Sequence, residues 1–442
     1  MRNWDAERLA SAAGARVVAG AAAGPMRAVI DSRAVSPGDL FVGLLGSQVD
    51  GGRFAAGALE AGAWGVLVAP SWADGLAGGA VLAADDPLAA LQALARSWRR
   101  ELGSAVIAVT GSVGKTSTKD LVAAVLAPHR TVVASRANLN TEIGMPLEIL
   151  GASAGTDVLV LEAAMRGFGQ IAELAAICEP DVGVITNIGP VHLEQVGSLA
   201  GVARAKGELL VGMRDGGTAV VPAGEPLLEP YLRDGLHVVR FGDGGDVHLD
   251  GDDVIAHGER LELELAFTAR HQRVNALAAV AAALAVGVRP SGRLEAPTGA
   301  LRGELVELPD GALVINDCYN ASPLSMRAAL DELAGWRPVG GRRVAVLGDM
   351  LELGAEEAAL HREVGTQAER AGVEVLVTVG PRAAAMLDMF DGEGYAVADA
   401  GEAAALAGEL VGPGDVVLVK GSRGVGLEVV AEALAAAEVP RG

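Results

Sequence analysis

Short apolar runs alternate with helical patterns through the middle of the chain. The Val- and Ile-rich runs AVIAVT, TVVAS, DVLVLEAA, DVGVITNIG and TAVVPA are separated by segments such as GQIAELAAI and GVARAKGELL, in which apolar residues recur at helical spacing. Strand patterns this apolar, alternating with helices, are typical of a mostly parallel sheet covered on both faces. The pattern predicts a doubly wound α/β domain over residues 104–292, with a β-hairpin inserted near 236–267.

Two further blocks flank this domain and repeat the alternation. Residues 1–103 contain helix, glycine and strand signals in FAAGALEAGAWGVLVAP and a helix start at Asp86 and Pro87. Residues 293–442 open on a hairpin pattern, RGELVELPDGALVIND, and continue through strands in RRVAVLGDM, VEVLVTVG and DVVLVKGS, each followed by an Ala-rich helix. We therefore predict an α/β protein of three domains, over 1–103, 104–292 and 293–442.

Charge and composition limit the classes of binding partner and the cellular compartment that we expect for this protein. The 442 residues include 35 Lys and Arg against 56 Asp and Glu, for a net charge of −21. Such a surface repels nucleic acid and anionic membranes, and the longest apolar run, ALAAVAAALAVGV, is too short to span a bilayer. Cys178 and Cys318 form no ligand cluster, and the N-terminal segment is unlike a signal peptide. We expect a cytoplasmic monomer with no nucleic-acid partner and no membrane insertion.

The segment SAVIAVTGSVGKTSTKD places a phosphate-binding motif directly after a predicted strand. The common pattern is G-x-x-x-x-G-K-[ST], but Val109 stands where its first glycine would be. The loop is instead a shorter T-G-x-x-G-K-T, followed at once by a predicted helix whose N-terminus favours anions. Lys115 could reach terminal phosphates and Thr116 could bind Mg²⁺. The alternative is an ordinary strand–turn–helix connection with a solvated lysine.

Polar residues also follow the later strands of this domain. Glu162 ends the buried run DVLVLEAA, at the sheet edge where α/β folds hold a nucleotide and its metal; the alternative is a helix-capping or solvated glutamate. By themselves His192 is more often a satisfied structural group and Lys206 a surface lysine. Asn275 begins the apolar helix in HQRVNALAAVAAAL, where a capping or buried role is the alternative.

Together these motifs resemble the Mur ligase family, which couples ATP cleavage to amide-bond formation in peptidoglycan precursor synthesis. The resemblance rests on AVTGSVGKTSTK, on the N-x-N-x-x-x-G-x-P pattern in ANLNTEIGMP, on T-N-x-x-x-x-H-L-E followed by A-K in TNIGPVHLEQVGSLAGVARAK, and on the pattern around Asn275. It implies ATP and Mg²⁺ as cofactors, with Thr116 and Glu162 on one metal ion. It further implies a second metal on His192 and on Lys206, the latter carbamylated by CO₂.

The same resemblance assigns the site residues as follows. The residues expected to be catalytic are Lys115, Glu162, His192 and Lys206. The residues expected to bind metal are Thr116, Glu162, His192 and Lys206. ATP is expected at Gly111, Ser112, Val113, Gly114, Lys115, Thr116, Ser117, Asn275, Asp317 and Asn320. Substrate binding is expected at Ser32, Arg33, Asn138, Asn140, Asp349 and Arg423.

Motifs in the two flanking domains refine the implied activity. INDCYNASPLSM, VLGDMLELG and VLVKGSRGVGLE resemble the branch of the family that adds D-alanyl-D-alanine, and the D-N-P-R tetrapeptide usual in the diaminopimelate-adding branch is absent. DSRAVSPGDLFVGLLGSQVDGGRF resembles a UDP-sugar-binding start. The implied architecture is a UDP-muramyl-binding domain, a central P-loop ATP-binding domain and a C-terminal Rossmann-like ligase domain.

The implied reaction joins D-alanyl-D-alanine to UDP-N-acetylmuramoyl-tripeptide through an acyl phosphate, with ADP as a product. Two alternatives stay open at this point. One is a related Mur or folylpolyglutamate-type ligase that adds another amino acid. The other is a nucleotide-binding protein without ligase activity.

Overall fold

The computed structural model describes residues 1, 3–21, 23–136, 138–295, 301–338 and 340–436. In it the chain divides into two units. The first unit comprises Met1–Thr186, Arg204–Ala266 and Val274–Leu294. The second comprises Asn187–Ala203, Phe267–Arg273 and Glu295–Gly442.

The N-terminal part of the first unit is built on a small, largely parallel sheet. Its order is β1-β5-β4-β3-β2, with β1 antiparallel to β5 and the other pairs parallel. Asp86 accepts hydrogen bonds from the backbone N–H groups of Leu88 and Ala89, so the predicted start of the last helix is confirmed. The strands are β1 Arg16–Ala19, β2 Ala28–Val29, β3 Leu40–Val42, β4 Gly65–Val68 and β5 Ala80–Ala83. The helices are α1 Ala6–Ala13, α2 Ala55–Glu60, α3 Pro70–Ala73 and α4 Pro87–Leu102.

The central sheet has the order β14-β13-β12-β11-β10-β9-β6-β8-β7 and is parallel from β7 to β12. A separate parallel pair joins β15 to β16. The strands are β6 Ala105–Thr110, β7 Val132–Ala134, β8 Val158–Glu162, β9 Val182–Ile185, β10 Thr218–Pro222, β11 His237–Phe241, β12 Val247–Asp250, β13 Asp253–Ala256, β14 Glu259–Arg260, β15 Leu263–Leu265 and β16 Gly292–Leu294. The helices of this stretch of chain are α5 Lys115–Leu126, α6 Gly144–Gly151, α7 Gln170–Cys178, α8 Leu193–Val196, α9 Leu199–Val211 and α10 Arg270–Ala285.

The predicted hairpin insertion near 236–267 is correct only in part. Strand β11 runs parallel to β10 and extends the sheet, and the antiparallel portion is confined to β12, β13 and β14. A 3₁₀ helix, Pro226–Tyr231, lies in the connection between β10 and β11. This short crossover lacks the helical periodicity that would have identified a parallel connection in the sequence.

The sheet of the second unit has the order β17-β18-β22-β19-β20-β21. Strands β17 and β18 form the predicted antiparallel hairpin, and the remaining pairs are parallel. The strands are β17 Glu304–Glu307, β18 Leu313–Asn316, β19 Arg343–Gly348, β20 Val375–Val379, β21 Glu393–Val397 and β22 Val416–Lys420. The helices of this sheet are α11 Pro323–Gly335, α12 Glu357–Arg370, α13 Ala400–Leu410 and α14 Glu428–Ala436.

Both faces of this second sheet are covered by apolar core. In β20, Leu376 packs into one core cluster while Val375, Val377 and Val379 pack into the other. Successive side chains of a strand point to opposite faces, so a strand buried on both sides is apolar throughout. No helix in the described part of the chain is long and apolar enough to cross a membrane.

Strand β6 lies where the central sheet changes direction, between β9 and β8. Val109 of β6 is in register with Glu162, the last residue of β8, and Thr110 is in register with Ile185 of β9. In open α/β sheets this switch point, at the carboxyl ends of the strands, is the usual ligand site. The fold therefore brings the loop after β6 and the carboxylate at the end of β8 together.

One helical glycine of the second unit tests the packing of α12. A Cβ atom at Gly365 would lie 2.0 Å from the Met386 backbone oxygen, whereas a Cβ at Gly408 in α13 would meet nothing within 4 Å. We expect Gly365→Ala to lower the free energy of unfolding by about 1–3 kcal/mol. The matched Gly408→Ala should be neutral or raise that free energy by up to about 1 kcal/mol. Thermal or urea unfolding measures both; equal stability of the two variants would contradict the packing.

Candidate active site

The loop between β6 and α5 has the tight, glycine-dependent geometry that the sequence predicted. Gly111 has φ 148° and Gly114 has φ 82°, a region that side chains other than glycine rarely adopt. A Cβ at Gly111 would lie 1.8 Å from Thr186 Oγ1, and one at Gly114 would lie 2.7 Å from Asn275 Oδ1. Both glycines are therefore required for the close approach of the neighbouring elements to the loop.

Two lysine side chains converge on one carbonyl oxygen of this loop. Lys115 Nζ donates to the Gly111 oxygen at 3.0 Å and to the Ser112 oxygen at 3.3 Å. Lys206 Nζ, from α9, donates to the same Gly111 oxygen at 2.8 Å. Lys206 is only 2% exposed, and burial, with a smaller contribution from the Lys115 charge, lowers its pKa well below the ordinary value. The buried amine is thus biased toward the neutral, nucleophilic form.

Glu162 is buried beside the first turn of α5, and its carboxylate is fixed by two side chains. Thr116 Oγ1 donates to Glu162 Oε2 at 2.7 Å, and Asn140 Nδ2 donates to Glu162 Oε1 at 2.9 Å. The Glu162 backbone N–H donates to Ser135 Oγ at 3.1 Å. The structure thus brings together Thr116, Asn140 and Glu162, three of the residues that the sequence singled out.

The oxygens of Thr116 and Glu162 fit the Mg²⁺ ion that the family implies. Mg²⁺ takes oxygen ligands and is usually held by one or two protein groups, the rest being water and phosphate oxygens. Over the ranges that the structure describes, no group of three or more His, Cys, Asp or Glu side chains could hold a metal ion. A hydroxyl and a single carboxylate are consistent with a metal that shares its coordination sphere with a nucleotide.

A second lysine of α5, Lys119, supports this arrangement, although no sequence motif singled it out. Lys119 is 5% exposed and its Nζ donates to the Ser135 backbone oxygen at 2.6 Å. It also pairs with Asp120 at 2.6 Å. Lys119 therefore fixes the residue whose hydroxyl binds the Glu162 backbone. Its spacing of one helical turn after Lys115 in GKTSTK was the available signal.

The remaining residues predicted in the first unit differ in their exposure. Asn275 is 8% exposed and lies against Gly114, consistent with a place beside the phosphate loop. Asn138 is exposed and Ser32 half-buried. Arg33 is exposed and pairs with Asp31 at 2.8 Å, and this hydrogen bond lowers the pKa of Asp31 to about 2. The substrate-binding roles of these residues stay predictions.

In the second unit, His192 contacts a residue that the sequence placed in a different motif. His192 Nδ1 is hydrogen-bonded to Glu352 Oε2, in the loop that follows β19. The Glu194 backbone N–H donates to the Glu352 oxygen at 3.3 Å. His192 and Lys206 fall in different units, and the second metal site proposed for the pair stays a prediction.

The loop after β18 contains an ion pair between a buried lysine and a partly exposed aspartate. Lys420, at the end of β22, is 2% exposed and donates from Nζ to Asp317 Oδ2 at 2.6 Å and to the Asn320 oxygen at 2.9 Å. The Asn320 side chain accepts from the Ala321 backbone N–H at 2.8 Å. Lys420 thus positions Asp317 and Asn320, a role that sequence reasoning missed although the KGSR motif contained it.

Asp349 and Arg423 follow the adjacent strands β19 and β22. The Asp349 carboxylate is 4% exposed and accepts from the backbone N–H groups of Arg382 at 3.0 Å and Ala383 at 2.7 Å. These N–H groups lie at the start of the 3₁₀ helix Ala383–Met389. Arg423 is exposed and pairs with Glu428 at 3.2 Å. The structure therefore gives Asp349 a structural role, and the substrate contacts of both residues stay predictions.

Comparison with known proteins places this geometry in a family. Three family models match: the Mur ligase family catalytic domain over residues 28–97, the Mur ligase middle domain over 109–283, and the Mur ligase glutamate ligase domain over 301–423. Together they cover most of the chain and include the phosphate loop, Glu162 and Lys206. The chain belongs to the Mur ligase family, as the sequence motifs predicted.

Several of its relatives share one more specific name. The "UDP-N-acetylmuramoyl-tripeptide--D-alanyl-D-alanine ligase" of Mycobacterium tuberculosis is 39% identical over 466 residues, covering 92% of this chain and 91% of the relative. The enzyme of the same name from Bacillus subtilis is 34% identical over 423 residues, covering 91% of this chain and 92% of its own. The branch that the sequence motifs favoured is thus the branch to which these relatives belong.

Solved structures of the same branch have the same three-domain fold. MurF from Acinetobacter baumannii matches with a TM-score of 0.87 at 29% identity, covering 98% of each chain. MurF ligase from Thermotoga maritima, solved with ADP, matches with a TM-score of 0.80 at 29% identity, covering 92% of this chain and 97% of that one. The predicted fold class is confirmed.

The phosphate loop is testable through its first glycine. Because a Cβ at Gly111 would collide with Thr186, we expect Gly111→Ala to displace the loop and weaken ATP binding at least about tenfold, or ~1.4 kcal/mol. Gly151→Ala, where a Cβ meets nothing within 4 Å, is the matched control in the same unit. Titration calorimetry with ATP measures the affinities, and thermal unfolding reports the fold. Unchanged affinity in a folded Gly111→Ala protein would refute the tight-loop geometry.

Proposed function

We propose that this chain is an ATP-dependent, ADP-forming ligase that joins D-alanyl-D-alanine to UDP-N-acetylmuramoyl-tripeptide. The observation that carries the proposal is the phosphate loop with Lys115, Thr116, Glu162 and Lys206 around it. The names of relatives 34–39% identical over nine-tenths of the chain support the choice of substrates. In this proposal ATP binds at the carboxyl ends of the parallel strands of the central sheet.

The chemical difficulty is that a carboxylate is a poor acyl donor. Transfer of the terminal phosphoryl group of ATP to the carboxylate converts it into an acyl phosphate, but two anions must meet first. Lys115 and the N-terminus of α5 supply positive charge where the phosphoryl group is transferred. Thr116 and Glu162 would hold Mg²⁺, which when bound neutralises phosphate charge.

The amine of the dipeptide then attacks the acyl carbon, and inorganic phosphate leaves. In this proposal Asp349 and Arg423 contact the incoming dipeptide or ATP, and Asn275, Asp317 and Asn320 contribute to the ATP site. The UDP-muramyl substrate is assigned to Ser32, Arg33, Asn138 and Asn140. Exclusion of water during these steps protects the acyl phosphate from hydrolysis.

Lys206 has the chemistry expected of a carbamylated lysine. Its neutral amine would attack the carbon of CO₂, form an N–C bond and release one proton, which gives an anionic carbamate. The depressed pKa of the buried amine supports this step, because only the neutral amine has the required lone pair. A carbamate supplies oxygen ligands instead of a positive charge, and would share a second Mg²⁺ with His192 in this proposal.

The proposed ligase function also leads to proposals about the location and the oligomeric state of the protein. We place the protein in the cytoplasm, where UDP-linked precursors and ATP are available and where Cys178 and Cys318 stay reduced; both are buried free thiols in the structure. We also propose that it acts as a monomer.

The choice of amine is the sharpest test of the proposed reaction. With UDP-N-acetylmuramoyl-tripeptide and ATP present, we expect phosphate release with D-alanyl-D-alanine and background release with meso-diaminopimelate or without an amine. Lys115→Ala, which lacks the phosphate-contacting cation, excludes a contaminating ATPase. Release with diaminopimelate in place of the dipeptide would assign the chain to another branch. Phosphate release in the absence of both an amine and the muramyl substrate would contradict the proposed ligase function.

The carbamate on Lys206 is testable with labelled bicarbonate. We expect a ¹³C carbamate resonance in the wild-type protein and its loss in Lys206→Met, with kcat reduced on the order of 100-fold because several kcal/mol of charge stabilisation are lost. Arg204→Met, an exposed cation on the same helix, is the matched control and should keep both the resonance and the activity. A fully active wild-type protein without the resonance would overturn the modification.

A further inference from the structure

The contact between His192 and Glu352 joins two residues with unusual backbones. His192 has φ 52° and Glu352 has φ 64°, in the left-handed region that residues with side chains rarely adopt. Non-glycine residues in this region cost free energy unless the surrounding structure compensates, and such strain concentrates at functional sites. Here two strained residues, 160 positions apart in sequence, meet through their side chains.

The backbone that presents Glu352 is fixed on its N-terminal side. The Met350 N–H donates to His361 Nε2 at 3.0 Å, and the fully buried His361 ring donates from Nδ1 to the Glu357 oxygen at 2.7 Å. The Leu351 N–H donates to Ser422 Oγ at 3.1 Å. Burial lowers the pKa of His361, so the ring stays neutral and keeps Nε2 as an acceptor. The loop is therefore a rigid support for the Glu352 side chain.

The chemistry of the contact selects one state of His192. A carboxylate only accepts hydrogen bonds, so Nδ1 of His192 must carry the proton that it shares with Glu352. In the neutral ring the lone pair then lies on Nε2. A carboxylate behind a histidine fixes both the tautomer and the ring orientation, and it raises the basicity of the opposite nitrogen.

We propose that Glu352 is a positioning residue for His192. It holds the imidazole in the Nδ1–H tautomer and in one orientation, with the lone pair of the neutral ring on Nε2. Because Glu352 belongs to the LELG loop of the C-terminal sheet, the state of His192 is set by that loop. The expected effect of Glu352 on catalysis rests on the proposed ligase function. The expected tautomer of His192 does not depend on that function.

The competing explanation is that the contact only joins the segment Asn187–Ala203 to the rest of its unit. Two variants separate the explanations. Glu352→Gly removes the carboxylate and relieves the left-handed backbone, so a loss of stability from strain is avoided. Glu352→Gln keeps an acceptor oxygen and the side-chain shape. Glu356→Gln, an exposed residue four positions along the same loop, is the matched control.

The first measurement is ¹⁵N NMR of histidine-labelled protein without substrates, with His192 assigned through His192→Asn. We expect the Nδ1–H tautomer in wild type and in Glu356→Gln. In Glu352→Gly we expect a shift toward the Nε2–H form. Glu352→Gln should remain closer to wild type, since its amide oxygen can accept the same hydrogen bond. A wild-type tautomer in folded Glu352→Gly would overturn the proposal, whatever reaction the protein catalyses.

The second measurement is kinetic. We expect Glu352→Gly to lower kcat about 10- to 100-fold, the range for losing a carboxylate behind a functional histidine, with KM for D-alanyl-D-alanine unchanged. In the His192→Asn background the same substitution should have no further effect, because Glu352 acts through His192. Additive losses in the double variant would show that Glu352 acts independently. If wild type lacks ligase activity, the proposed function fails while the NMR result still decides the positioning role.

Discussion

One backbone oxygen organises the phosphate loop: the Gly111 carbonyl accepts hydrogen bonds from both Lys115 and Lys206. Two ammonium groups on one oxygen repel each other, and the buried one loses its hydration as well. The arrangement is favourable when Lys206 is neutral, and this leaves Lys115 as the cation of the loop. A side chain at position 111 would collide with Thr186, so glycine is needed at the residue whose oxygen both lysines contact.

This division of charge matters in a protein with a net charge of −21. Such a chain repels phosphates and carboxylates except where cations lie close to their binding sites. In the first unit the Glu162 carboxylate accepts hydrogen bonds from Thr116 and Asn140. In the second unit the cation of Lys420 is committed to Asp317. Glu162 and Lys420 thus each have fixed partners, which offset part of the cost of desolvation.

The sequence predicted the order of strands and helices well, because parallel strands buried on both faces differ sharply in composition from the helices between them. It also placed Lys115, Thr116 and Glu162 at one sheet edge, since each directly follows or precedes a strand or helix end. It failed where the decisive information is a distant contact. Glu352 looks like an ordinary loop acid until the fold brings it to His192, and Asp349 looks available until the N–H groups of Arg382 and Ala383 are seen. Strand β11 was misjudged because a 3₁₀ crossover leaves no periodic pattern.

Helix α9 carries a second polar group two positions after Lys206. Glu208 accepts from the backbone N–H groups of Gly169 at 2.8 Å and Ala172 at 3.2 Å, at the start of α7. Residues two apart in a helix point in nearly opposite directions. Helix α9 therefore contacts the phosphate loop through Lys206 on one side and the start of α7 through Glu208 on the other. A rotation of α9 that releases one contact strains the other. Slow opening of the loop and of the N-terminal turn of α7 would therefore be one collective motion, with a single barrier and matched rates of amide exchange.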